Sequence, residues 1–260
     1  MDLPEPHRRL LEEMLPRIRE DPRIVGVAVA GSLANGHPDE HSDVDLVLAV
    51  DDDRYEAVLP ERLGMIASWT SLVAGFTGEH VGEPRVIISI VGPPLLHVDV
   101  KFVRCADVGS RVDRLVVLWE RDDRVSAALA ARPPAPPRLD LQWIEDRFWV
   151  WVHYGATKLA RGELYETIGF LAFLRETVLG PLICHLSGAP LQGVRKLERV
   201  DPDRATRLRA TLCDDDRADA ARALLACVDL YRAWRDETGL SIVRNREAER
   251  LAVGFLRESA

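Results

Sequence analysis

The chain has 260 residues, 47% of them hydrophobic and 29% charged, and a formal charge of −8. Such a composition excludes a disordered or fibrous chain and points to a folded protein of one large or two ordinary domains. Residues 1–138 carry −7 of the charge and residues 139–260 only −1. This balance argues against a grip on long nucleic acid, which calls for a basic footprint, and for a small, possibly cationic, partner.

No run approaches the roughly 18 apolar residues of a membrane span. The start, MDLPEPHRRLLEEML, is acidic and amphipathic, unlike a signal peptide, so the expected location is the cytoplasm. Cys105, Cys184, Cys213 and Cys227 are widely spaced without a CxxC pair, which favours free thiols over zinc or disulfides.

In chain order, residues 5–20 read as an amphipathic helix with Leu10, Leu11, Met14, Leu15 and Ile18 on one face. RIVGVAVA, Arg23 to Ala30, reads as a strand closed by Gly31, and VDLVLAV, Val44 to Val50, as a second. Asp51, Asp52 and Asp53 suit a turn and a helix cap. A helical segment is expected next, interrupted near Pro60 and Gly64 and ending around Phe76. The strands Arg85 to Val91 and Leu95 to Val103 flank a reversal at Gly92-Pro93-Pro94. Arg114 to Glu120 reads as a further strand and Val125 to Ala131 as a short helix.

RPPAPPR, Arg132 to Arg138, is a stiff proline segment and the expected domain boundary. Beyond it the periodicity is helical: Leu141 to Arg161, Leu164 to Leu186 with a kink at Gly180-Pro181, Asp203 to Leu212, Asp216 to Thr238 and Asn245 to Arg257. The expected fold class is α/β (α+β), a mixed β-sheet domain over 1–132, a linker over 133–138, and an all-α helical bundle over 139–260.

The chemistry concentrates in GSLANGHPDEHSDVDLVLAV, Gly31 to Val50. Residues i and i+2 of a strand share a face, so Asp43 and Asp45 point one way while Val44 and Leu46 point the other. The later strand repeats the pattern, with His97, Asp99 and Lys101 on one face. If the two strands are neighbours, three carboxylates converge, and their repulsion calls for a divalent cation or a raised pKa. Oxygen donors of this kind suit Mg2+ or Mn2+, completed by substrate phosphates. Gly31-Ser32, after a strand and before LANG, reads either as Ser32 capping a short helix or as an anion seat in which glycine lets a phosphate approach the backbone. The histidines of HPDEH, His37 and His41, read as a solvated loop and not as a zinc site.

A strand, Gly31-Ser32, ten residues, SDVDL, and a distant Asp in HVDVKF together resemble the polymerase-β-like nucleotidyltransferase superfamily. The layout is most similar to the aminoglycoside-type small-molecule enzymes. The resemblance covers roughly residues 22–104, and more weakly the segment KLARGELYETIGFLAFLR in the helical half. It implies a catalytic domain over 1–132 in which Asp43, Asp45 and Asp99 are catalytic and hold the metal. Gly31, Ser32, Ser42 and Lys158 would bind ATP, and Glu145 and Asp146 a cationic acceptor. Asp99 would complete a second metal site or accept the acceptor's proton, and Lys101 beside it is expected to lower its pKa.

The implied partners are a nucleoside triphosphate and a small-molecule hydroxyl acceptor, with the chain a monomer or homodimer. Two alternatives stay open at this level: a non-catalytic or antitoxin-like nucleotide-binding regulatory module, and nucleotidyl transfer to a protein or tRNA. Arg147 and His153 have roughly the spacing used by some helical ribonucleases, but Phe148-Trp149 follow the arginine and the bundle has no basic surplus, so His153 reads as an ordinary helix residue.

Overall fold

The structure is a computed structural model that describes residues 3–36, 38–110 and 113–260; His37 lies outside the described residues, and its partner in the sequence, His41, is exposed. The chain divides into two compact units, Met1–Pro136 and Pro137–Ala260.

The N-terminal unit is a six-stranded mixed sheet. Its strands are β1 (Ile24–Val29), β2 (Val44–Val50), β3 (Leu72–Gly78), β4 (Glu83–Val91), β5 (Leu96–Arg104) and β6 (Val116–Glu120), in the order β3-β4-β5-β2-β1-β6. Among the described residues β2 and β5 alone pair in parallel; β1 with β2, β1 with β6, β3 with β4 and β4 with β5 are antiparallel. A parallel pair needs a crossover rather than a hairpin. Here the chain leaves β2 through the short helices α3 (Tyr55–Val58) and α4 (Arg62–Trp69), builds β3 and β4, and returns along β5.

One sheet face is dry. The helix α1 (Glu5–Glu20) lays Leu10, Leu11, Met14 and Ile18 against Val44, Leu46, Leu48, Val98, Val100 and Phe102, and α4 adds Met65, Ile66 and Trp69. Each such side chain, taken fully from water, contributes about 1.5–3 kcal/mol. The opposite face is divided. At one end the helix α5 (Arg124–Ala131) covers Val25, Ala49 and Val103 through Val125. Toward the other end stand Asp45 and Asp99, both half-buried.

Leu72–Gly78 overturns the expectation of a helix reaching Phe76. The helix stops at Trp69, and the segment pairs with β4 as the sheet's edge strand. Local helical pattern lost to a partner strand that lies later in the sequence.

The C-terminal unit is helical: α6 (Leu141–Ala160), α7 (Leu164–Leu174), α8 (Gly180–Leu186), α9 (Leu197–Val200), α10 (Pro202–Leu208), α11 (Arg217–Glu237) and α12 (Arg246–Ser259). Between α7 and α8 the helix widens to a π turn over Arg175–Leu179. Pro181 lacks the N–H that the carbonyl one turn earlier would accept, so the irregularity falls where the Gly180-Pro181 pair placed it.

By length and composition Leu164–Leu186 does reach the size of a membrane span, against expectation, with half of its apolar window buried. Phe170, Leu171, Leu174, Val178, Leu179, Leu182 and Ile183 pack into the unit's own core with Phe148, Trp149, Leu224 and Trp234. The four cysteines are free thiols, and Cys105, Cys184 and Cys227 are buried.

Candidate active site

The two acidic segments of the sequence meet through the backbone. Parallel pairing of β2 with β5 sets Asp45 opposite Asp99, with Val44 opposite Val98 and Leu46 opposite Val100. The alternation that buries the valines and leucine therefore turns both carboxylates to the other face. Asp43 lies just ahead of β2 and is exposed, and its negative charge acts on Asp99.

Burial pushes the Asp99 carboxyl above its ordinary range. His97, whose Nε2 lies 2.9 Å from Asp99 Oδ1, pulls it back in part, and Asp43 pushes it further up. The expectation that Lys101 lowers this pKa is corrected here. Lys101 Nζ lies 2.7 Å from Glu83 Oε2 on β4, where Arg85 also donates, at 2.6 Å. The Arg85 hydrogen bond, with Lys101 behind it, outweighs burial and brings Glu83 down to about 2. A salt-bridged lysine on the same face is thus committed to the neighbouring strand.

Gly31 stands against the acidic pair. Its φ is +58°, a left-handed conformation that glycine adopts without a Cβ penalty. A Cβ built there would lie 2.1 Å from Asp45 Oδ2, so Asp45 occupies the space that any other side chain would take. The Ala30 N–H donates to the Asp45 carbonyl at 2.9 Å, which ties the strand end to β2 at this residue. Ser32 follows in the five-residue helix α2 (Gly31–Asn35), and its hydroxyl makes no hydrogen bond among the described residues.

Ser42 is placed differently. Its Oγ accepts from the Asp39 N–H at 2.9 Å and donates to Asp39 Oδ1 at 3.2 Å, so the hydroxyl closes the loop that leads to Asp43. Beneath that loop is a residue that sequence reading missed. His7 of α1 is fully buried, and its Nε2 donates to the Ser42 carbonyl at 2.6 Å. In PEPHRRLL nothing marks it, because its partner is a backbone oxygen 35 residues away.

The expected three-carboxylate cage is not preformed. Among the described residues no group of three or more His, Cys, Asp or Glu stands together as a metal site. Unscreened carboxylates repel, and Asp43 sits outside the strand register that aligns the other two. The oxygen-only donors still fit magnesium, which is commonly held by one or two carboxylates and substrate phosphates.

The remaining predicted residues belong to the helical unit. Lys158 on α6 bridges Glu163 at 2.9 Å and Glu166 at 3.0 Å. Those two carboxylates raise its pKa, and Glu166 also accepts from the Tyr154 hydroxyl. Asp146 is exposed and accepts from Gln142 at 2.7 Å.

Glu145 is buried instead. It accepts from Tyr231 Oη at 2.5 Å, Trp149 Nε1 at 3.0 Å and Arg235 Nη1 at 3.2 Å. Burial raises its pKa, but the three donors together more than offset this and leave it lowered. Its carboxylate is spent inside the helical core. Arg147 lies over the Trp143 ring, and His153 packs on Phe255, each as a helix-surface residue.

Strand order, the Asp45–Asp99 register and the Gly31 turn thus gather an acidic pair and a tight glycine turn at one end of the sheet. Residues 11–94 match the family model of the nucleotidyltransferase domain, a stretch that lies within the N-terminal unit. No curated protein sequence matches the chain.

Among solved structures, the chain is similar to an aminoglycoside 6-adenyltransferase from Bacillus subtilis, with 14% identity, 97% of this chain and 98% of that chain covered, and a TM-score of 0.42. It is also similar to a nucleotidyltransferase-like protein from Exiguobacterium sibiricum, with 12% identity, 88% and 77% covered, and a TM-score of 0.40. A third is the spectinomycin adenyltransferase AAD(9) from Enterococcus faecialis, with 10% identity, 98% of each chain covered, and a TM-score of 0.34.

Proposed function

We propose that the chain transfers a nucleoside monophosphate, AMP from ATP, to a hydroxyl of a small cationic acceptor of the aminoglycoside kind and releases pyrophosphate. The observation that carries this reading is the Asp45–Asp99 register pair beside the Gly31 turn. The acidic net charge supports a cationic acceptor.

Phosphoryl-type transfer asks the protein mainly for positioning and electrostatics. Gly31 and the free Ser32 hydroxyl receive the triphosphate. Asp43 and Asp45 would hold a divalent cation, which when bound supplies charge neutralisation at the phosphates. Asp99, one strand over, accepts the proton as the acceptor oxygen bonds to the α-phosphorus. The bond from that phosphorus to the bridging oxygen breaks, and pyrophosphate leaves with the electron pair.

The test incubates the protein with magnesium, each nucleoside triphosphate, and a panel of aminoglycosides and lincosamides beside a tRNA and protein extract. Pyrophosphate and a nucleotidyl mass increment on the acceptor are followed. Release that depends on a small acceptor and vanishes in Asp45→Asn supports the reading. Release unchanged in that variant overturns it.

A further inference from the structure

The helical unit is almost neutral overall, yet its arginines are not spread evenly. An open cavity of about 680 Å3 between α11 and α12 is lined by Arg232, Arg235, Arg244, Arg246, Arg250 and Arg257, with Glu249 the one carboxylate among its lining residues. Its floor is Val253 and Gly254.

The six cations are held in different ways. Arg235 is buried, 4% exposed, and anchored on Glu145 at 3.2 Å. Arg232 meets Glu249 at 2.7 Å, and Arg244 meets Asp236 at 2.7 Å. The others are barely neutralised. Arg250 reaches Glu247 only at 3.6 Å, both being well exposed. Arg246 and Arg257 make no ion pair or hydrogen bond among the described residues.

At 3.6 residues per turn, positions 246, 250, 253 and 257 fall on one stripe of α12. Three guanidinium groups therefore stand in a row above an apolar floor. Like charges at i and i+4 destabilise a helix, and a concave site with low-dielectric walls focuses their field outward. Such an arrangement is unfavourable for the empty protein and favourable for one that takes up an anion.

We infer that this cavity is a binding site for an oligophosphate chain, separate from the carboxylate site of the N-terminal unit and independent of the function proposed for it. Guanidinium forks match phosphate oxygens two at a time. Arg246 and Arg250 are about 6 Å apart along the helix, and Arg257 about 10 Å further on. A row of that length favours an extended anion of several charges over a single orthophosphate. The chain could come free or as the tail of a nucleotide, and the two sources are separable.

The test is calorimetric titration of the full chain in EDTA at physiological salt. Tripolyphosphate should bind at least about tenfold more tightly than orthophosphate. The triple variant R246Q/R250Q/R257Q should lose at least tenfold in tripolyphosphate affinity while keeping its circular dichroism and its pyrophosphate release. The control R8Q/R9Q, on exposed α1 arginines, should lose nothing.

ATP that binds more tightly than tripolyphosphate, with the excess lost in the triple variant, identifies a nucleotide tail; equal affinity identifies the free chain. The inference is overturned if the triple variant binds as well as the parent or the control weakens equally. It is also overturned if orthophosphate matches tripolyphosphate, or if single-stranded oligonucleotides displace tripolyphosphate with affinity rising with length.

Discussion

Asp45 and Asp99 stand opposite each other across the parallel pairing of β2 with β5, aligned by the backbone register of the two strands. Burial and the nearby Asp43 charge raise the Asp99 pKa, so the folded state takes up a proton more readily at this residue than the unfolded chain does. Stability contributed by the protonated form is complete below the unfolded value and is lost as pH rises through the folded one. Asp99→Asn should therefore unfold at a higher temperature than the parent at pH 7, in scanning calorimetry without metal. The same variant should lose transfer by at least about 100-fold, the scale of a single electrostatic group in a reaction site. A lower melting temperature would contradict this account of Asp99.

Gly31→Ala should fail twice over. The left-handed φ costs an L-residue about 1–2 kcal/mol, and the new methyl would meet Asp45 Oδ2. Asp45 must shift, so activity should fall far more than stability. Denaturant unfolding and pyrophosphate release, measured side by side, separate the two effects. Proportional losses in both would mean that the turn is only structural.

Glu145→Ala removes the one fully buried carboxylate that faces Arg235, leaving it Asp236 at 3.0 Å and Glu249 at 3.5 Å. Losing that buried pair should destabilise the helical unit by up to about 3–5 kcal/mol, read as a shift of the urea midpoint. Glu145→Gln should recover part of that, because the amide can still accept from Tyr231 or Trp149. If Glu145→Ala unfolds like the parent, the buried network contributes nothing.

Glu83 sets an acid limit for the sheet edge. Its pKa is down to about 2 under Arg85 and Lys101, so its stabilisation is present above the ordinary carboxylate value and is lost as pH falls through that window toward 2. Glu83→Gln should lower stability at pH 7, and the gap to the parent should close between about pH 4.5 and 2. Urea midpoints across that range check it, and a gap that does not change with pH would rule out the ion pair as its source.

Most of the architecture could be read from pattern. Period-two alternation in VDLVLAV and LLHVDVKFV fixed which face each aspartate takes, and Pro181 marked the helix irregularity. What the sequence hid was partnership at a distance. Lys101 looked like a neighbour of Asp99 because the two are two residues apart, yet its carboxylate lies on another strand. Glu145 was expected to meet a cationic acceptor, yet Tyr231 and Arg235, about 90 residues on, close over it. His7 and the Leu72–Gly78 strand were obscure for the same reason, since their partners come from elsewhere in the chain.

The crossover that joins β2 to β5 has an evolutionary meaning. Everything from Asp51 to Leu95 departs after one aspartate and comes back before the other, while strand pairing alone fixes how the two align. Within that excursion β4 pairs with β5, Ile88 opposite Asp99, and α4 fills the core, so those parts are tied to the site. The turns that join them are not, and insertions there leave the acid pair in register, so a lineage could retailor what surrounds the reacting group without rebuilding the chemistry.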